Sequence, residues 1–166
     1  MNDLLILAML SEGPRHGYQL KRQAGFIFGH GDIHNNLVYP LLRKFTVDGW
    51  VTKKAVPGER GQTRQQYAIT PLGKTILLQR LSEYSEADAR SFEGFIVRVG
   101  LFELLDRKVR AAILGERASY LRQQQEKLGG LPQKVEVGKF GGEVVRHLQK
   151  RIAFELSWID ALARIH

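Results

Sequence analysis

The hydrophobic pattern opens with seven consecutive apolar residues, Leu4 to Leu10. Asn2 or Asp3 can cap a helix running through them, and a helix apolar on every side belongs in the middle of a core. Ser11 to Pro14 breaks it. A second, short helix is expected from about Gly17 to Ala24, with Tyr18 and Leu20 on it and Lys21 and Arg22 outward. The glycine-rich connection Gly25 to Asp32 carries Phe26, Ile27 and Phe28, expected to tuck under the core. From Ile33 to Phe45, the residues Val38, Leu41, Leu42 and Phe45 recur at helical spacing and form one apolar stripe. Asn35, Asn36, Tyr39, Arg43 and Lys44 lie largely off that stripe. Pro40 falls inside the pattern, so this helix is expected to kink, or to begin late with Pro40 in its first turn. Asp48-Gly49 ends it. Two roughly alternating runs follow, Trp50 to Val56 and Gln65 to Ile69, with a charged tip between them bounded by Gly58 and Gly61. Thr70-Pro71 is a strong start signal for a fourth helix, which carries Ile76, Leu77, Leu78 and Leu81.

The second half reads as helices. Ser85 to Gly94 is polar and suggests a hinge. From Phe95 the helical pattern continues through Leu101, Leu105, Val109, Ile113, Tyr120, Leu121 and Leu128, until Gly129, Gly130 and Pro132 stop it. Leu131 to Gly142 is expected to be a loop. A last helix from about Glu143 to Ile165 carries two apolar stripes. Leu148, Ile152, Leu156, Ile159 and Ala163 form one; Phe154, Trp158, Leu162 and Ile165 form the other. Two stripes need two partners. The Leu101–Leu128 segment of the same chain is one candidate, and the same surface of a second copy is the other, since twofold dimers are the commonest assembly. An intramolecular bundle is the competing account. The residues assigned to dimerisation are Leu101, Leu105, Leu148, Ile152, Leu156, Ile159 and Ala163.

A helix followed by a basic β-hairpin is the working end of a winged helix-turn-helix. The expected fold is therefore mainly α with a small β-hairpin wing. Residues 1–84 would form a winged DNA-binding domain and residues 85–166 a helical dimerisation domain.

Composition sharpens this picture. The 166 residues are 43% hydrophobic, enough for a packed interior. The net charge is +8, which favours a polyanionic partner. The first 74 residues hold 10 Lys/Arg against 5 Asp/Glu, so the excess is denser in the half with the hairpin. There is no cysteine, which removes disulfides, thiolate metal sites and cysteine nucleophiles. The N-terminus lacks the basic flank of a signal peptide. No apolar run approaches the ~18 residues of a spanning helix. A cytoplasmic location without membrane attachment is the expectation.

Asparagine can bond adenine bidentately in the major groove, and Asn35 and Asn36 stand at the entry of the third helix. Capping is the competing use: one of the pair is expected to cap and the other to read, with either in either role. Arg43 and Lys44, further along, suit phosphate, a contact that positions without reading sequence. Tyr39 can donate its hydroxyl to phosphate or pack on the first helix. In the wing, Arg60, Thr63 and Arg64 suit minor-groove insertion at a flexible tip; a solvated basic turn is the plain reading. Lys53 and Lys54 extend that surface. His16, Tyr18, Lys21 and Arg22 are candidates for backbone contact at the second helix, although His16 suits capping or packing equally.

Three enzyme-like features are weak. Ala68 to Thr75 (AITPLGKT) approximates a phosphate loop, but Pro71 lacks an N–H and the loop is not glycine-rich. Gly138 to Glu143 (GKFGGE) lacks dinucleotide spacing. His30 and His34 flank Asp32, a pairing commoner in a solvated loop than at a metal. No enzyme, cofactor or metal is expected. Phe95, Phe102, Phe154 and Trp158 are candidates to line a pocket for a small-molecule effector; core packing is the competing use of such aromatics.

Three stretches resemble the PadR family of bacterial transcription regulators: LLILAMLSEGPRHGYQLKR (Leu4–Arg22), LVYPLLRKFTVDGWV (Leu37–Val51) and RQQYAITPLGK (Arg64–Lys74). Phe95–Asp106 and His147–Ile165 are similar to the C-terminal domain of the longer subfamily, which includes virulence-gene activators. The resemblance implies a dimer with N-terminal winged helices and a C-terminal, antiparallel coiled-coil-like helical domain. The family's His-Gly-Tyr falls on His16, Gly17 and Tyr18, and its Tyr-Pro on Tyr39 and Pro40. The family's Ser-Pro-Gly-Thr-like run is replaced here by IHNNLV, so base preference does not carry over. The expected function is sequence-specific binding of double-stranded DNA by a homodimer on an inverted repeat, with repression the expected mode. A helical dimeric adaptor that does not bind DNA is the alternative.

Overall fold

A computed structural model describes residues 2–27, 35–57, 62–130 and 138–165, without the side chains of 24–27 and 35–36. Two compact units divide the chain: Met1–Glu83 with Ile96–Leu104, and Tyr84–Phe95 with Leu105–His166.

The first unit is built on α1 (Asn2–Ser11). Every residue from Leu4 to Leu10 is buried, as a helix apolar on all faces requires. It packs against α2 (Gly17–Ile27), α4 (Pro71–Ser82) and strand β3 (Thr63–Ile69). Between α1 and α2 a two-residue strand, β1 (Arg15–His16), pairs with β3, and β2 (Val51–Pro57) covers the other edge of β3. The sheet is antiparallel in the order β1-β3-β2, with Arg15 opposite Tyr67, His16 opposite Gln66 and Val56 opposite Arg64. The sequence predicts only a hairpin; a strand of two residues has no alternation to detect. The second hairpin strand is also longer than expected, and the first is shifted by one residue. Thr63 and Arg64 pair with Pro57 and Val56, so they belong to β3 and not to the tip.

Helix α3 spans Asn35–Val47. Pro40 is its sixth residue, beyond the first turn, and the hydrogen bond it forgoes is the one to the Asn36 carbonyl. Val38, Leu42 and Phe45 are buried, as the stripe predicts, and Leu41 is partly covered. Gly49 ends the helix at φ +74°, a left-handed value that suits glycine. Its N–H donates to Thr46 O (3.3 Å), and the Trp50 N–H donates to Phe45 O (2.9 Å). The Trp50 ring stacks on Phe45 at 5.4 Å, the apolar contact that accompanies this kind of cap.

The Thr70-Pro71 signal is realised. Thr70 caps α4: its Oγ1 accepts from the Gly73 N–H (3.0 Å) and donates to Gly49 O (2.8 Å). Gly73 is buried against the backbone of Trp50, and a Cβ there would overlap the Trp50 carbonyl oxygen. The Gly-Lys-Thr of the phosphate-loop-like stretch is thus a packing device in which a helix start crosses a strand entry. Leu77 and Leu81 face the core, whereas Leu78 is exposed.

In the second unit the polar stretch expected as a hinge contains α5 (Glu86–Ala89), closed by a capping box between Ser85 and Asp88. Helix α6 spans Phe92–Val99, and a 3-10 turn occupies Phe102–Leu104. The single helix expected from Phe95 to Leu128 is therefore interrupted. Asp106 caps a fresh helix, α7 (Arg107–Gly129), by accepting from the Val109 N–H at 2.9 Å. Leu101 and Leu105 keep helical phase with α7 in sequence but lie outside it. Helix α8 runs Lys139–Leu162, four residues earlier than expected, and takes Gly141 and Gly142 into its first turn. Two such glycines cost about 1 kcal/mol each against alanine, an amount a 24-residue helix absorbs. Among the described residues no helix is long and apolar enough to cross a membrane.

Helices α7 and α8 pack together through Ile113, Leu114, Ala118 and Leu121 on one side and Ile152 and Ile159 on the other. A charged pair sits within this core. Arg117 is 2% exposed and Glu155 5%. The Arg117 Nε donates to Glu155 Oε1 at 2.7 Å, and its Nη1 donates to the carbonyl of Ala89 in α5. The guanidinium also lies within 6 Å of the rings of Phe92, Phe95 and Tyr120.

Candidate nucleic-acid interface

The β1–β3 pairing sets the geometry of this surface. It brings the first turn of α2 beside the wing strand and beneath the middle of α3. His16, Gly17, Tyr18, Tyr39, Arg64, Gln65 and Tyr67 line an open groove of about 590 Å³ there. Tyr18 and Tyr39 are 50% and 42% exposed, high for tyrosines on a folded head. Gly17 permits the approach of α3: a Cβ on it would stand 2.7 Å from the Tyr39 ring. The packing alternative for Tyr39 is thus met in part, through α2.

His16 uses its polar atoms within the fold. Its backbone N–H donates to Gln19 Oε1 (2.8 Å), which helps close the start of α2, and its Nδ1 donates to the Gln65 carbonyl (3.0 Å). Its ring stacks nearly parallel on Tyr18, 5.8 Å between centroids. The Arg64 guanidinium lies over the Tyr18 ring at 5.9 Å. Tyr67 is buried at the floor. Burial raises its hydroxyl pKa, the neighbouring Tyr39 adds to that, and Arg43 opposes it. Tyr39 lines the groove, and Arg43, one turn on along α3, is exposed.

Lys44 lies elsewhere. Its Nζ pairs with Asp48 (2.7 Å) and sits 5.5 Å from the Trp50 ring centre. Together with Leu37, Leu41, Phe45, Asn2, Asp3 and Arg80 it borders a second depression. Lys44 and Arg43 are adjacent in sequence but serve different faces of α3. Lys53, Lys54 and Thr63 are exposed on the wing strands, Lys21 is partly covered on α2 and Arg22 is exposed. Arg60 lies outside the described residues, as do His30, Asp32, His34 and Phe28; Asn35 and Asn36 open α3, but their side chains lie outside those described. Gln65 and Tyr67 join the surface without having been expected. The signal that would have found them is the β1–β3 register, which no local pattern announces.

The other expected residues are dispersed. Phe95 is buried and meets the partly covered Trp158 edge-on at 5.8 Å, but Phe154 is 76% exposed, so Phe95 is core and Phe154 is surface. Phe102 falls in the first unit. Of the dimerisation set, Leu105, Ile152 and Ile159 are buried within the chain, Leu101, Leu148 and Leu156 are partly covered, and Ala163 is exposed. Ile152 and Ile159 of the first stripe of α8 thus pack within the chain. The exposed large apolar residues at this end are Phe140, Val144, Phe154 and Ile165.

Residues 6–79 match the family of transcriptional regulator PadR-like proteins. No curated protein is significantly similar to the chain. Among solved structures, a transcriptional regulator from Thermoplasma acidophilum is 30% identical over 48% of this chain and 75% of its own, with a TM-score of 0.45. Bacillus subtilis PadR in complex with operator DNA is 20% identical over 99% of this chain and 98% of its own, with a TM-score of 0.49. The same protein in complex with p-coumaric acid is 19% identical over 97% and 95%, with a TM-score of 0.44.

Proposed function

Because the chain belongs, through residues 6–79, to the PadR-like family of transcriptional regulators, we propose that it binds double-stranded operator DNA sequence-specifically and represses transcription as a homodimer. One observation carries this reading. Tyr18, Tyr39 and Arg64 converge from α2, α3 and β3 on one exposed groove, and Arg43 is exposed one turn along α3 from Tyr39. The Tyr39 hydroxyl and the Arg43 and Arg64 guanidiniums suit a phosphate backbone. Asn35 and Asn36, at the first turn of α3, enter the major groove and read base edges. Lys53, Lys54, Thr63 and, at the tip, Arg60 follow the flanking backbone, with His16 and Lys21 at the edge of α2. Lys44 contributes field rather than contact, since Asp48 holds it.

In this reading residues 1–84 bind DNA and residues 85–166 pair two copies. The exposed Phe140, Val144, Phe154 and Ile165 supply the apolar surface for pairing. A twofold dimer calls for an inverted repeat, its half-sites about 34–36 Å or a multiple apart. An aromatic acid of the kind bound by the Bacillus subtilis protein is the effector class to try first. A retardation assay at two salt concentrations tests the core of the proposal. A regulator keeps specific retention near physiological salt. An adaptor with a merely basic face shows weak binding that salt abolishes.

A further inference from the structure

We propose that Tyr18 is a positioning residue: its ring is the platform that holds the Arg64 guanidinium where the wing meets the phosphate backbone. This rests on the DNA-binding reading above. Three side chains stack here. The His16 ring is parallel to Tyr18 within 9° at 5.8 Å, and the Arg64 guanidinium lies over the Tyr18 ring at 5.9 Å. Successive residues of β3 hold the two ends: the Gln65 carbonyl anchors the His16 Nδ1, while the Arg64 side chain reaches Tyr18. The stack therefore ties the first turn of α2 to the wing strand through side chains, beyond the two-residue β1–β3 ladder.

An arginine side chain has many rotamers, and ordering one on contact with phosphate costs entropy. A ring that already holds the guanidinium lowers that cost. Cation–π contacts at exposed sites are modest, so the effect on affinity is about two- to fivefold. The Tyr18 hydroxyl has no part in this role; the ring face does. That distinguishes the platform from a direct Tyr18–phosphate hydrogen bond.

The test is a double-mutant cycle on the full chain, measured as affinity for a random-sequence DNA duplex at ~50 mM salt, where phosphate contacts dominate. Tyr18→Ala is expected to weaken binding about two- to fivefold, with Tyr18→Phe recovering most of the loss. In an Arg64→Ala background, Tyr18→Ala is expected to cost less than about twofold. Ring-current shifts of the Arg64 side-chain protons, read by NMR without DNA, should persist in Tyr18→Phe and vanish in Tyr18→Ala. Equal losses in Tyr18→Phe and Tyr18→Ala would overturn the platform in favour of the hydroxyl, and an additive cycle would overturn it outright. A wild-type chain that fails to retain the duplex overturns the DNA reading itself, and with it the role given to Arg64. Retention by the wild type with an additive cycle removes only the platform.

Discussion

Removing either partner of the Arg117–Glu155 pair should unfold the second unit far more easily than removing both. The side chains are 2% and 6% exposed, so a lone survivor would be a charge sealed in an apolar core. Breaking such a pair costs about 3–5 kcal/mol. Arg117 has a second role, because it also satisfies the Ala89 carbonyl and lies against three aromatic rings. Arg117→Met keeps most of the stem packing but strands both the Glu155 carboxylate and the Ala89 oxygen, so its loss should reach the upper end of that range. Glu155→Leu strands the guanidinium, which keeps its ring faces and Ala89, and should fall near the lower end. The double variant replaces the pair with apolar groups, and such replacements are often neutral. Its cost should be below about 2 kcal/mol, which leaves a coupling of at least about 3 kcal/mol. Against a typical domain stability of about 5–15 kcal/mol, each single change is severe. Urea unfolding followed by far-ultraviolet circular dichroism reads all three. If either single variant loses under about 1 kcal/mol, or the two losses simply add in the double variant, the pair is not the electrostatic lock described and the core is held by its aliphatic contacts alone.

Four further outcomes follow from the first unit. Arg64→Ala should weaken binding to all duplexes and reduce the slope of log affinity against log salt by about 1; a change in base preference with no change in slope would contradict its place on the backbone. Asn36→Ala should cost about 1–3 kcal/mol at a single base pair, and a binding-site selection that returns the wild-type preference would refute a reading role. Gly73→Ala should destabilise the head by about 1–3 kcal/mol through overlap with the Trp50 carbonyl, with a change in Trp50 emission; unchanged stability would mean that α4 and the strand entry part freely. Asp3 gives a pH dependence. Burial raises its carboxyl, but hydrogen bonds and positive charge, that of Arg80 included, outweigh burial and hold it below its ordinary value. A depressed folded value means the contribution is present above the unfolded pKa and is lost as pH falls through the folded one. Asp3→Asn should therefore cost about 1 kcal/mol at neutral pH, and the difference from wild type should close below about pH 4; a gap that persists in acid would point to packing instead.

Local chemistry that repeats or caps was legible in the sequence. Seven apolar residues placed α1 in the core, Thr70-Pro71 marked the start of α4, and Asp48-Gly49 marked the end of α3. Long-range pairing was not legible. β1 is two residues long and exists only because β3 lies beside it. The groove of Tyr18, Tyr39 and Arg64 depends on that pairing, and so does the close approach of Tyr39 to Gly17. Periodicity also misled where it was accidental. Leu101 and Leu105 continue the phase of Val109 and Ile113, yet Asp106 caps a new helix between them. Nothing in the sequence pairs Arg117 with Glu155, 38 residues on; the packing of α7 on α8 makes them partners. The two stripes of α8 were both visible in sequence, but which one faces its own chain was decided by Ile152, Glu155 and Ile159 together. The large apolar residues left exposed on or just beyond α8 are Phe140, Val144, Phe154 and Ile165.

The most direct test of the central claim is selection of genomic fragments bound by the full-length protein at physiological salt. The account predicts an enriched inverted repeat whose half-sites lie about 34–36 Å, or a multiple, apart. Enrichment without a shared motif, or retention that vanishes at that salt, would contradict it.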